Sequence, residues 1–284
     1  MASVSRKNKK VAKAVLFYTS LVGLLCVTLF PFFIMLMTSF KTSKEAVSTN
    51  PTLFPQEWTF QHFIDIFNPD IFPYLTYFKN SLTVALTAAA IAVIIGILGA
   101  YALSKLDFVG RVTINTSFYT VYMFSGILLV VPLFKIISGL GLYDTKISLI
   151  ITMIVQTVPT AIFMLQSYFD TIPKDLEEAA QIDGLNRIQT IFYIIIPLSI
   201  SGIISVFVYC FMVAWNDYLF ASIFLSDSAN FTLPMGLNTL FSTPDYVWGR
   251  MMAASLVTAL PVVIMYAISE RFIKGGLTDG GVKG

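Results

Sequence analysis

Few residues in this chain have side chains suited to catalysis. His62 is the sole histidine, which excludes an HExxH zinc pattern, a His-centred triad and a histidine metal cluster. Near Phe60 and Phe63, it reads as packed or solvated rather than catalytic. No Gly-Lys dipeptide occurs, so a phosphate-cradling loop is absent and ATP hydrolysis by that route is not expected. Cys26 and Cys210 fall in apolar runs and read as packed thiols, not as a disulfide framework. The best organised charges lie between Asp170 and Pro197, in DTIPKDLEEAAQIDGLNRIQTIFYIIIP. Pro173 suits a first helical turn, Asp175, Glu177 and Glu178 favour the positive helix end, and Gly184 after Asp183 offers a stop. The spacing predicts a helix of about three turns, with Ala179 and Ala180 forming a smooth face. Such a helix suits either the membrane surface or the close approach of another protein.

The elements that must position this stretch follow from composition. Hydrophobic residues make up 56% of the 284 and charged ones 12%, against about 45–50% and 25% in soluble domains. That excludes disorder, a coiled coil and a nucleic-acid-binding domain. Six neutral gaps each exceed or approach the roughly 20 residues needed to span a bilayer: residues 14–40, 80–104, 112–134, 147–169, 188–216 and 251–269. They predict an all-α polytopic membrane protein with helices at about 14–40, 80–104, 112–134, 147–169, 198–222 and 249–270. A basic segment 1–13 precedes the membrane domain 14–274, and a Gly-rich tail 275–284 follows it. The first apolar run is too long for a cleavable signal and reads as a retained helix. A further neutral stretch between Asp227 and Asp245 holds two prolines and many polar groups, and reads as a loop.

Six helices place both termini on one side. With the amino terminus inside, 12 of the 18 basic residues fall on the cytoplasmic side, which the positive-inside rule favours. Pro31, Pro132, Pro159 and Pro261 are expected to kink their helices. Ala88, Ala89, Ala90, Ala92, Gly96, Gly99 and Ala100 give the second helix a face that another helix can approach closely. No charge lies within the gaps, which weighs against an ion-coupled transporter or an intramembrane enzyme; Asp217 is the nearest candidate. Tyr209, Trp215, Asn216 and Asp217 combine polar groups with flat apolar surface, as a substrate pathway between helices requires. An Asp at a helix end equally serves as an interfacial anchor or packing partner. Five glycines in the last ten residues predict a flexible, non-helical tail. It suits either a disordered terminus or a strand threading a crevice, with Lys283 meeting acidic groups.

Glu178-Ala179-Ala180, Gly184 four positions on, and Ile194, Ile196 and Pro197 together resemble the EAA loop of ATP-binding-cassette importer permeases, with Ile196 in place of the usual leucine. The carboxyl terminus, from Gly276 to Gly284, is similar to the GLTxGxVKG tail of carbohydrate-uptake permeases of the maltose type. AYALSKLDFVGR, LGLYDT, the Trp215-Asn216-Asp217 stretch and TLPMGL agree with it. The resemblance implies a bacterial inner-membrane subunit importing sugars or oligosaccharides by alternating access. Its coupling loop 170–197 would meet the ATPase through Glu177, Glu178, Ala179, Ala180, Asp183, Gly184, Leu185 and Pro197. Thr278, Gly280, Gly281, Val282 and Lys283 would reach the ATPase dimer. The implied partners are a second permease, two ATPase subunits that use ATP and Mg, an extracytoplasmic solute-binding protein and the lipid bilayer. No cofactor is expected on this chain itself. Residues 226–248 match the external segment that meets the binding protein, and suit a re-entrant lid equally well. An ATP-independent secondary transporter or channel is the alternative, and a purely structural anchor a third reading. On the leading reading, Gly184→Asp or Glu178→Lys is expected to uncouple ATP hydrolysis from transport or prevent assembly. Normal uptake by these variants would contradict it.

Overall fold

A computed structural model describes residues 2–123, 126–241 and 247–279, and these are helical or irregular, without strands. The longer helices are α1 (Ala2–Ser39), α2 (Gln61–Ile66), α3 (Tyr74–Lys105), α4 (Arg111–Met123), α5 (Val130–Gly139) and α6 (Lys146–Phe169). They continue as α7 (Lys174–Ile182), α8 (Arg187–Leu198), α9 (Ile200–Trp215), α10 (Leu219–Phe224), α11 (Leu233–Phe241) and α12 (Trp248–Asp279). Four stretches among the described residues are long and apolar enough to cross a bilayer: Lys13–Ser39, Tyr74–Lys105, Lys146–Phe169 and Trp248–Phe272. The pair α8 and α9, bent by 85°, adds a fifth if it counts as one span.

Several boundaries differ from those read from charge spacing. Helix α1 starts at Ala2, so the basic segment is helical; Lys, Arg and Ala are good helix formers. At the other end α12 runs to Asp279, so 275–279 are helical rather than tail-like, because adding a residue to an existing helix needs no new nucleus. The expected span 112–134 is divided among α4, a 3₁₀ turn at Gly126–Leu129 and α5. Pro132 stands in the first turn of α5, where a missing N–H costs nothing, so it starts a helix rather than kinking one. The expected span 198–222 begins earlier. Ile191–Ile195 widen into a π-turn just ahead of Pro197, the chain bends at Ser199, and α9 ends at Trp215 before α10 starts. The stretch read as a loop after Asp227 contains the helix α11. Pro31, Pro159 and Pro261 do lie inside long helices.

The chain forms two units, residues 1–72 with 240–257 and residues 73–239 with 258–284. In the first, Phe40 meets the rings of Trp58, Phe60 and Phe63 at 5.6, 5.2 and 5.2 Å. His62 is buried, its Nε2 is 2.9 Å from the Lys41 carbonyl, and Gly249 leaves room for its ring. Burial lowers its pKa. It is a packed histidine. Arg250 meets Asp65 at 3.0 Å, and Gln61 donates to the same carboxylate at 2.8 Å.

The second unit is built on α3 and α6. Ala88, Ala89, Ala92, Gly96 and Ala100 are buried, while Ala90 is exposed. A Cβ on Gly96 would sit 3.1 Å from Ala161, and one on Gly99 would sit 2.9 Å from Ile162. The small-residue face therefore does bring two helices close. Trp215 stacks on Phe211 at 5.5 Å and meets Phe78 edge-on at 5.8 Å.

At the amino-terminal ends of α3 and α6, polar bonds fix the segment 224–233. Asp144 has φ of 58°, a conformation Asp tolerates better than most residues. Its N–H donates to Phe224 at 2.9 Å, and its carboxylate accepts from the N–H of Ser226 at 2.9 Å and of Asp227 at 3.1 Å. Asn80 donates to the carbonyls of Ala229 and Phe231 at 2.8 and 3.0 Å and accepts from Lys146 at 3.2 Å. Bonds from the Ser226 and Asp227 N–H groups and the Asn230 amide hold the Asp144 carboxyl below the usual range, against a smaller opposing effect of burial. Folding lowers this pKa, so the stabilisation is complete above the unfolded value of about 3.9 and is lost as pH falls through the folded one. Asp144→Asn is expected to raise amide exchange at Ser226 and Asp227 on the order of fivefold at neutral pH. The unaltered chain should reach that state only below about pH 4; equal exchange in both proteins at neutral pH would refute the assignment.

Candidate functional site

The expected coupling stretch forms a helix where the sequence predicts one. Pro173 stands immediately before α7, and Asp175 and Glu177 occupy its first turn, where carboxylates meet the positive end of the helix dipole. Its end is a full Schellman motif. The N–H of Gly184 bonds to Gln181 and that of Leu185 to Ala180, both at 3.0 Å, with Gly184 at φ of 85°. A Cβ on Gly184 would meet nothing within 4 Å, so its requirement for glycine is conformational rather than steric. Two residues later Asn186 opens α8 with a capping box. Its side chain accepts from the Gln189 N–H at 2.9 Å, while the Gln189 side chain accepts from the Asn186 N–H at 2.8 Å. The corner between α7 and α8 is thus fixed from both sides.

The predicted residues divide between two faces of α7. Glu178, Ala179, Asp183 and Gly184 are exposed and Leu185 is half-buried, whereas Glu177 and Ala180 are buried. Ile182 completes the exposed face at 86% exposure, a large apolar side chain that water alone does not favour. Pro197 is exposed in α8, well along the chain from this patch. Glu177 turns inward instead. Its carboxylate lies 3.3 Å from Lys105 Nζ and accepts from the Tyr101 hydroxyl at 3.3 Å.

Sequence reasoning did not single out the residues behind α7. Lys105 also donates to the Ile172 carbonyl at 2.6 Å, and Ser104 donates to Asp170 at 2.5 Å. Arg111 donates to the carbonyls of Leu103 and Ser104 at 2.7 and 3.1 Å and pairs with Asp107 at 2.8 Å. All but Asp170 and Ile172 come from AYALSKLDFVGR, flagged only as a family-like run, where Lys and Arg just past an apolar helix were the available signal.

The expected pathway residues are not gathered on one surface. Trp215 is 1% exposed, packed in the aromatic core with Phe78 and Phe211. Asp217, one residue before the cap position of α10, accepts from the Phe220 and Ala221 N–H groups at 3.4 and 3.0 Å and so anchors the start of that helix. Asn216 is exposed and donates to the Met212 carbonyl at 2.8 Å, and Tyr209 is half-buried. Cys210 is buried as expected, whereas Cys26 is exposed on α1. Thr278 lies within α12, while Gly280, Gly281, Val282 and Lys283 lie outside the described residues.

Comparison with known proteins agrees with this architecture. The chain is 72% identical over 277 residues to the inner membrane ABC transporter permease protein YcjP of Escherichia coli (strain K12), covering 98% of this chain and 99% of that protein. It is 34% identical to the trehalose/maltose transport system permease protein MalG of Thermococcus litoralis, again over 98% and 99% of the two chains. Its fold is similar to a chain of a bacterial ABC transporter that imports the acidic polysaccharide alginate, with a TM-score of 0.78, 21% identity and coverage of 91% and 95%. Residues 92–275, which contain the whole clamp around α7, match the model for inner membrane components of binding-protein-dependent transport systems. The chain belongs to that family of multi-pass membrane permeases.

Proposed function

We propose that this protein is one of two membrane subunits of an ABC importer for sugars or oligosaccharides. The observation that carries the reading is α7: a short helix with its inner side clamped to the bundle and its outer side presenting Glu178, Ala179, Ile182 and Asp183 without cover. Such a surface transmits force only if something docks on it. On this reading an ATPase subunit docks there, both termini are cytoplasmic, and the tail from Thr278 to Lys283 reaches the ATPase dimer. ATP and Mg are used by those partner subunits, and closure of their dimer drives the coupling helices together and opens the path outward.

Sugar as substrate is supported by the relatives. MalG of Thermococcus litoralis belongs to a trehalose/maltose system, and a relative in Agrobacterium fabrum, 36% identical, to a sulfoquinovosyl glycerol system. A second permease is supported by α1, whose side chains from Lys13 to Phe32 are exposed throughout. Lipid covers such a surface, and so does a partner helix. The segment 226–239, whose first residues are held by Asp144 and Asn80, is the surface offered to a solute-binding protein at the end of α3 and α6 away from α7.

The test is reconstitution in lipid vesicles of this chain with its partner permease and ATPase subunits. A sugar-loaded binding protein should raise ATP hydrolysis several-fold and drive sugar uptake. Uptake that persists without any ATPase subunit would favour the secondary-transporter reading instead.

A further inference from the structure

The first glutamate of the pair Glu177-Glu178 has a different task from the second. Glu177 is buried, and its side chain and that of Lys105 are 9% and 4% exposed. Carboxylate and ammonium are 3.3 Å apart. The second carboxylate oxygen accepts from Tyr101, and the ammonium also donates to the Ile172 carbonyl, just before α7. A residue so enclosed has no surface left for another subunit. The backbones of α3 and α7 scarcely approach one another, so the connection between them is made by side chains, chiefly this ion pair. Both its members sit on rigid helical elements, Lys105 in the last turn of a 32-residue helix and Glu177 in the first turn of α7.

A buried ion pair is a poor device for stability, since an apolar pair of similar volume serves as well or better, but it fixes one relative geometry and penalises others. We propose that Lys105 and Glu177 are positioning residues that transmit displacement of the coupling helix to α3, and that Glu177 is not part of the surface that docks the ATPase. This rests on the reading of the chain as an ATP-driven permease and assigns a role within it. A pull on α7 would otherwise reach the bundle only along the chain, through residues 170–173 into α6 and through the Gly184 corner into α8. The ion pair adds a third, direct route into the longest helix of the second unit. Asp170, bonded to Ser104, supports the same end of α3.

The experiment uses the permease assembled with its partner permease and ATPase subunits in nanodiscs. Cys26→Ser removes the exposed thiol, and Lys79→Cys places a reporter near the far end of α3, where Lys79 is exposed. The readout is the ratio of maleimide labelling rates with and without Mg·ATP and vanadate, measured alongside the amount of ATPase subunit that co-purifies. Glu177→Gln and Lys105→Met are each expected to retain the ATPase subunits and to shrink the nucleotide-dependent ratio by about fivefold or more. Exchanging the charges, Lys105→Glu with Glu177→Lys, is expected to restore it. A full response in both single variants would overturn the assignment. Loss of ATPase co-purification in Glu177→Gln that the charge exchange does not recover would also overturn it, by making Glu177 a docking contact. Failure of the unaltered pair to respond to nucleotide would reject the ATP-driven reading itself, and this assignment with it.

Discussion

Two long helices, α3 and α6, run side by side in the same direction, and the rest of the second unit is arranged by that fact. Their amino-terminal ends share the bond between Asn80 and Lys146, and their carboxyl-terminal ends share the bond between Ser104 and Asp170. Parallel alignment is possible at such close range because Gly96 and Gly99 present no side chain to Ala161 and Ile162. It also has an electrostatic consequence. Both helices direct unsatisfied carbonyls, and the negative ends of their dipoles, to one end of the bundle. Lys105 and Arg111 lie there and donate to those carbonyls or to those just beyond them. The cationic end that receives Glu177 is therefore a product of helix direction as much as of residue choice.

The coupling helix itself was legible in the sequence because its signals are local. Pro173, the acids that follow it and Gly184 each act within one helical turn, and capping chemistry needs no knowledge of distant neighbours. The membrane class was legible for a similar reason, since the absence of charge over 20 residues is a property of the segment alone. The direction of Glu177 was not. Its two acidic neighbours in the chain suggest a solvated face, and only the arrival of Tyr101 and Lys105, more than seventy residues earlier, turns it inward. The surroundings of Trp215 were equally out of reach, because Phe78, which meets its ring edge-on, lies far away in the sequence.

Helix boundaries failed where charge was used as a marker of helix ends. Lys79 lies inside α3, although the expected span began only after it. A helix continues past a charge whenever the side chain reaches water, so neutral gaps mark the thickness of the bilayer rather than the length of the helix. The π-turn before Pro197 and the bend at Ser199 arise from a missing backbone donor, and their angle depends on what packs around them.

The corner between α7 and α8 contains Asp183, Gly184, Leu185 and Asn186 and no residue that is not used. Gly184 and Leu185 close the first helix, and Asn186 starts the second. There is no slack in it. Insertion of even one residue would separate the stop from the start and turn two joined helices into two independent ones. Among chains of this kind, the number of residues at this corner should therefore vary less than the residues themselves. Length, more than composition, is the quantity that the joint constrains.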